Sequence, residues 1–251
     1  MPITLSELIS SISSVAALVT AIIVFFTLLE MIRQRQSSYK PDLVFKPLRF
    51  SVSADTFDTL QYTISTEDSG DNSEQGHHDP NGKVFNIGLG SAKNLRFTWQ
   101  FDHEKAIERV KKLNVELGLT TNVKDKILII KAKTSSVYIS LENDFLQSID
   151  YLLPVSITNQ PVIMQIPSCY VNLLSIYSIY QICKNADDAL HALSSFPRAR
   201  VTTEYKDVGG KIYKKKYSVN SRYHHIEWGG GDDGTLPRNI KFSIFLEFTE
   251  L

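Results

Sequence analysis

Twenty-two consecutive residues without a charge, Leu8 to Leu29 (LISSISSVAALVTAIIVFFTLL), constrain this chain more than any other feature. At about 1.5 Å per residue a helix over them reaches about 33 Å, against a bilayer hydrocarbon core of about 30 Å. Thirteen of them are Leu, Ile, Val or Phe, which favour mid-bilayer. A cleavable signal peptide wants a basic start, a shorter apolar run and a small-residue cleavage site. Here the start is MPITLSE, and Arg33 and Arg35 follow the run directly. The expectation is a transmembrane helix over 8–32, preceded by an extracytoplasmic N-terminus over 1–7. A juxtamembrane linker over 33–40 and a β-rich domain over 41–251 follow.

Orientation comes from charge. No Lys or Arg precedes the span, whereas Arg33, Arg35 and Lys40 follow it. The positive-inside rule then puts the N-terminus outside and the large domain in the cytoplasm, so the expected location is the cell's inner membrane. Ser13, Ala17 and Ala21 fall four apart, a stripe of small residues that lets two helices approach and offers a route to a homo-oligomer. Tyr151 to Cys183 is also uncharged, but Pro154, Pro161 and Pro167 interrupt it. Its longest helical piece, SCYVNLLSIYSIYQIC, is short for spanning and rich in Ser and Tyr, so a buried helix is expected there.

The remaining chain reads as mostly β. DLVFKPLRFSV, FDTLQYTIS, KVFNIG, KNLRFTWQF, DKILIIKAK, SSVYISLE, QPVIMQIP and NIKFSIFLEFTEL are alternating or β-branched runs. RARVTTEYKDVGGKIYKKKYSV predicts a hairpin turning at Gly209-Gly210. HEKAIERVKKLNVELGL switches to helical spacing, with Gly118 as its stop. The fold class expected is an antiparallel β-sandwich-like domain with helical inserts behind a transmembrane helix.

Lys and Arg total 27 and so do Asp and Glu, a balance that argues against general nucleic-acid binding. The charges are unevenly placed. Asp55 to Gly82 carries seven acidic residues and no basic one, and reads as a long exposed loop. Pro197 to His225 carries eight basic residues against Glu204 and Asp207. On a strand, Lys214 and Lys216 share one face while Tyr213, Lys215 and Tyr217 share the other. Lys214, Lys215 and Lys216, with Arg198 and Arg200, are candidates for contact with anionic lipid or a protein partner. Edge-strand protection is the plainer role for the lysines.

The glycines of FNIGLGSAKNLRFTW invite a phosphate-loop reading. Gly88 and Gly90 lack the third glycine of a dinucleotide fingerprint, and the NLRFTW run after them is β-like, with no helix N-terminus for a pyrophosphate. A sharp left-handed or bulged corner between strands is expected instead. NIGLGSAKNLRF resembles the N-x-G-x-G-x-A-x-N pattern of bacterial single-pass membrane proteins. MIRQRQSSYKPDLVF is similar to their junction, and TTEYKDVGGKIYKKKYSV to their late hairpin. The resemblance implies an N-terminal span ahead of a β-sandwich-like cytoplasmic domain, and a place in a stress or phage-defence system.

Catalytic patterns are weak. Cys169 and Cys183 make neither a disulfide framework nor a metal signature. His77-His78, His103 and His224-His225 lack the spacing of a zinc site, and DSGDNSEQGHHD departs from a calcium loop at its sixth and twelfth positions. No catalytic residue, metal ligand or cofactor site is assigned. The expectation is a membrane-anchored interaction or sensor module with a bilayer and a protein as partners. A membrane-disrupting effector and a metal-dependent hydrolase are the alternatives.

Overall fold

A computed structural model of the chain describes residues 5–54, 61–66, 80–116, 118–132, 135–141, 145–184, 193–229 and 238–251. In chain order these form α1 (Leu5–Ser38), β1 (Leu43–Lys46), β2 (Leu48–Ala54), β3 (Tyr62–Thr66), β4 (Asn81–Asn86) and β5 (Ala92–Gln100). Then come α2 (His103–Glu116), β6 (Thr120–Lys124), β7 (Ile127–Lys131), β8 (Ser136–Ser140), β9 (Phe145–Leu152) and β10 (Val162–Gln165). The chain continues through α3 (Ser168–Lys184), a short 3-10 turn (Leu193–Ser195), β11 (Ala199–Lys206), β12 (Ile212–Gly229) and β13 (Arg238–Glu250). The acidic residues between Asp55 and Asp79, and His77-His78, lie outside the described residues.

α1 is apolar on every side. Ile12–Arg35 is the one stretch among the described residues long and apolar enough to cross a membrane, and none of it is buried. Thr20 and Thr27 turn their hydroxyls back to the carbonyls of Ala16 and Ile23, so the two side-chain donors stay within the helix.

Behind it the domain is mostly antiparallel β, as the alternation predicts. A curled seven-stranded sheet runs β3-β2-β13-β12-β11-β5-β9. β1-β4-β10 form a second sheet, and β6-β7-β8 a third. Phe45 of β1 meets Phe97, Tyr217 and Phe248, which seats the second sheet on the inner face of the first. α3 crosses the same inner face: Tyr170 lies against Trp99 of β5, and the Tyr62 hydroxyl of β3 donates to Asn172. The helical piece at the end of the uncharged stretch is therefore a core helix, with thirteen of its residues buried. α2 lies beside α3, and Gly118 ends it at φ 72°, where only glycine is unstrained.

Three strands exceed the sequence reading. β12 continues well beyond Val219 to pair with β13 along its length, and β6 and β9 are additional. TTNVK has almost no apolar alternation, and FLQSIDYL is an edge strand with only one buried residue. Neither carries the period that marks a half-buried strand.

Candidate functional site

Several long-range polar contacts gather around the point where α1 hands over to the domain. Helical hydrogen bonding ends at Tyr39, whose N–H reaches the Arg35 carbonyl. Pro41 stops further helix, because the residue before a proline is driven from helical geometry. The next residues, through Leu43, are then held from two sides.

On one side stands Asn86, the last residue of β4 and fully buried. Its Oδ1 accepts from the N–H of Asp42 and of Gly88, both at 3.1 Å. Its Nδ2 donates to the carbonyls of Gly90 (2.7 Å) and Leu152 (3.3 Å). The amide thus spends two acceptor and two donor positions on three chain segments, as only Asn or Gln can. Its own carbonyl accepts from the Val155 N–H, and the Ile87 N–H donates to the Asp42 carbonyl, each at 2.8 Å.

The glycines serve approach, not dihedral freedom. Neither Gly88 nor Gly90 has a positive φ, so the expected left-handed corner is corrected. A Cβ at Gly88 would lie 2.3 Å from the Lys40 carbonyl oxygen, and one at Gly90 only 1.7 Å from that of Tyr39. The corner is bare of side chains because the end of the helix occupies that space. Ala92 is fully buried, and Asn94 takes a left-handed φ of 51° in an irregular stretch where β5 and β11 lose register.

On the other side stands the β11–β12 hairpin. Lys215 Nζ donates to Asp42 Oδ1 and Glu250 Oε2, both at 3.0 Å, tying the junction to the end of β13. Burial alone would lower this ammonium's pKa, but the Glu250 and Asp42 carboxylates outweigh it and hold it above the usual lysine range. The Tyr205 and Tyr217 hydroxyls donate to the carbonyls of Pro41 and Leu43, each at 3.4 Å. Burial pushes both phenols up to about 12. Tyr205 stacks on Tyr213, over whose ring sit Lys40 and Lys211. Gly210 closes the hairpin at φ 86°, the positive angle expected at Gly209-Gly210.

Of the lysines singled out by sequence, Lys215 belongs to this clamp, while Lys214 and Lys216 are exposed on the opposite face. Arg198 and Arg200 are exposed toward the start of β11, three to five residues from Thr203, the register partner of Lys215, or roughly 10–17 Å by strand rise. Ser13, Ala17 and Ala21 are exposed along α1. Asp42, Tyr205 and Glu250 were not singled out, and Asn86 only within the N-x-G-x-G pattern; their importance comes from partners thirty-five or more residues distant.

At the far end of the domain, a groove of about 400 Å³ runs between α2 and the β6–β7 turn. Ile107, Val123 and Leu141 line it, with Glu108, Lys111 and Lys126 on its sides. Among the described residues no three His, Cys, Asp or Glu side chains gather as a metal site would need. His225 pairs with Glu227 at 2.6 Å on the exposed part of β12. Comparison with known proteins returns no matching family model, no matching curated protein and no matching solved structure.

Proposed function

We propose that the chain is a single-pass membrane protein whose β-rich domain lies in the cytoplasm and works there as a non-catalytic interaction or sensor module for a protein partner. The observation that supports this reading best is the join. An apolar helix with no buried residue in its spanning stretch runs into Tyr39–Leu43, which the domain grips by a buried amide, two tyrosines and an ion pair. A leader destined for removal has no need of such a grip. Arg33, Arg35 and Lys40 on the domain side favour the cytoplasmic orientation.

A C-terminally tagged full chain is expected to stay with membranes through an alkaline carbonate wash. Its tag should survive protease added to intact cells. A soluble fragment beginning near Arg33 would overturn the anchor, and a tag removed from outside would reverse the topology. Cross-linking in cells is expected to give a discrete adduct with another protein. Toxic expression that depends on Leu8–Leu29, without any adduct, would favour a membrane-disrupting effector instead.

A further inference from the structure

The residues around the helix exit do more than grip it. Among the described residues outside α1, the eight most exposed large apolar side chains are Tyr39, Ile87, Leu89, Tyr138, Ile157, Val208, Ile212 and Leu251. Six of these, 58% to 66% exposed, stand on the segments that hold the junction. Tyr39 ends the helix. Ile87 and Leu89 flank Gly88, against which Lys40 and Asp42 pack. Ile157 closes the turn that begins at Pro154, bridged to Asn86. Val208 and Ile212 sit at the tip of the hairpin whose Tyr213 ring meets Lys40.

Basic groups accompany them. Lys40 and Lys211 lie over the Tyr213 ring, and Lys93 over that of Tyr151. Of the carboxylates nearby, Asp42 and Glu250 are engaged by Lys215 and Asp207 by the Tyr213 hydroxyl and the Lys211 N–H, while Asp150, beside Tyr151, is exposed. Apolar tips, tyrosines and lysines together are the chemistry of the bilayer interface, where apolar side chains reach the acyl boundary and ammonium groups meet lipid phosphates. The covalent link to α1 supplies the continuity, since any bilayer that holds the helix must end close to Tyr39.

We propose that this rim is a lipid-binding surface, with Ile87, Leu89, Ile157, Val208 and Ile212 seated at the acyl boundary of an anionic leaflet and Lys40, Lys93 and Lys211 on its phosphates. The proposal rests on the membrane-anchor reading and adds an attitude to it: the domain lies against the bilayer by this end. β5, nine residues long, carries the chain from this rim to α2, so α2 begins roughly 30 Å from it.

The test uses the full chain in vesicles of phosphatidylcholine and phosphatidylglycerol, carrying an environment-sensitive fluorophore at Leu89→Cys or, as control, at exposed Lys105→Cys on α2. Cys169 and Cys183 are buried, and the unsubstituted chain measures their background labelling. Lipids bearing a quencher near the headgroup are expected to dim the Leu89→Cys probe at least twofold and to leave the Lys105→Cys probe unchanged. The difference should shrink when phosphatidylglycerol is omitted. Equal, weak quenching of both probes in vesicles that do carry the protein would overturn the rim and leave the anchor standing. Failure of the chain to float with vesicles would overturn the anchor and the rim together. A Leu89→Cys probe shielded from aqueous quencher yet untouched by lipid quencher would show a protein covering the rim and would also overturn the proposal. Quenching that ignores phosphatidylglycerol would remove the lysines from it.

Discussion

Among the described residues, α1 and α3 are the helices built on long uncharged stretches, Leu8–Leu29 and Ser168–Cys183, and they have opposite fates. Ile12–Arg35 of α1 has no buried residue, while α3 is buried along most of its length. The difference lies in what each helix asks of its surroundings. α1 turns the hydroxyls of Thr20 and Thr27 back on its own carbonyls and presents an apolar surface through the middle of its length. α3 carries Tyr170, Tyr177, Tyr180, Ser175 and Ser178 among its buried residues. Polar groups of α3 find partners on other elements: the Tyr177 hydroxyl meets Ser195, and Asn172 accepts from the Tyr62 hydroxyl, each at 2.7 Å. Lipid tails offer no such partners, so the polar content of an apolar helix decides whether protein or bilayer is its proper medium.

A charge separates the two environments most sharply. Ile176→Asp in α3, where the side chain is 1% exposed, buries an unpaired carboxyl. The expected cost is at least about 4 kcal/mol, enough to lose the cooperative thermal transition of the domain. Val24→Asp in α1 should leave that transition in detergent unchanged and instead reduce membrane retention. If both variants melted alike, the contrast between the helices would fail.

Alkali should come next. Burial raises the hydroxyl pKa of Tyr170 and Tyr180 on α3, of Tyr62 and Tyr223 against which it packs, and of Tyr205 and Tyr217 to about 12. A folded pKa above the unfolded value of about 10 means stability that is complete below pH 10 and lost as pH rises toward 12. Lys215, also raised, adds a loss of the same sign above its unfolded pKa of about 10.4. Leu8–Leu29 holds no titratable group, so near-ultraviolet dichroism of the domain should fall while the chain stays in the membrane.

The join between the two media should show a smaller effect. Asn86→Ala strands the buried N–H of Asp42 and the carbonyl of Gly90, at about 3 kcal/mol together. The melting temperature in detergent is expected to fall by about 6–12 °C. A variant that melts like the parent would show that the amide does not hold the junction. Smallest of all, Tyr177→Phe removes the contact with Ser195 and should cost about 1 kcal/mol, or 2–4 °C, by the same measurement.

Legibility in the sequence followed the range of the deciding interaction. α1, α3 and the Gly209-Gly210 hairpin rest on residues within a turn or two of each other, and composition and period carried them. The alternation that parts Lys215 from Lys214 and Lys216 was legible for the same reason. Gly88 and Gly90 were legible as a corner but not for their purpose, because the atoms a Cβ would strike belong to Tyr39 and Lys40. β6 and β9 stayed hidden because their mixed faces are fixed by neighbouring strands, not by a pattern of their own.

The amino-acid order alone determined that one segment is apolar enough for a bilayer, that the rest alternates as β, and that no charge follows Leu8 until Glu30. Those are local properties, set by side-chain transfer energies and backbone preferences that need no partner. Only the tertiary structure decided that Asn86, Lys215 and two tyrosines converge on Pro41–Leu43, and that exposed apolar tips ring the same point. Convergence depends on which distant strands become neighbours, and that is settled by burying one shared core.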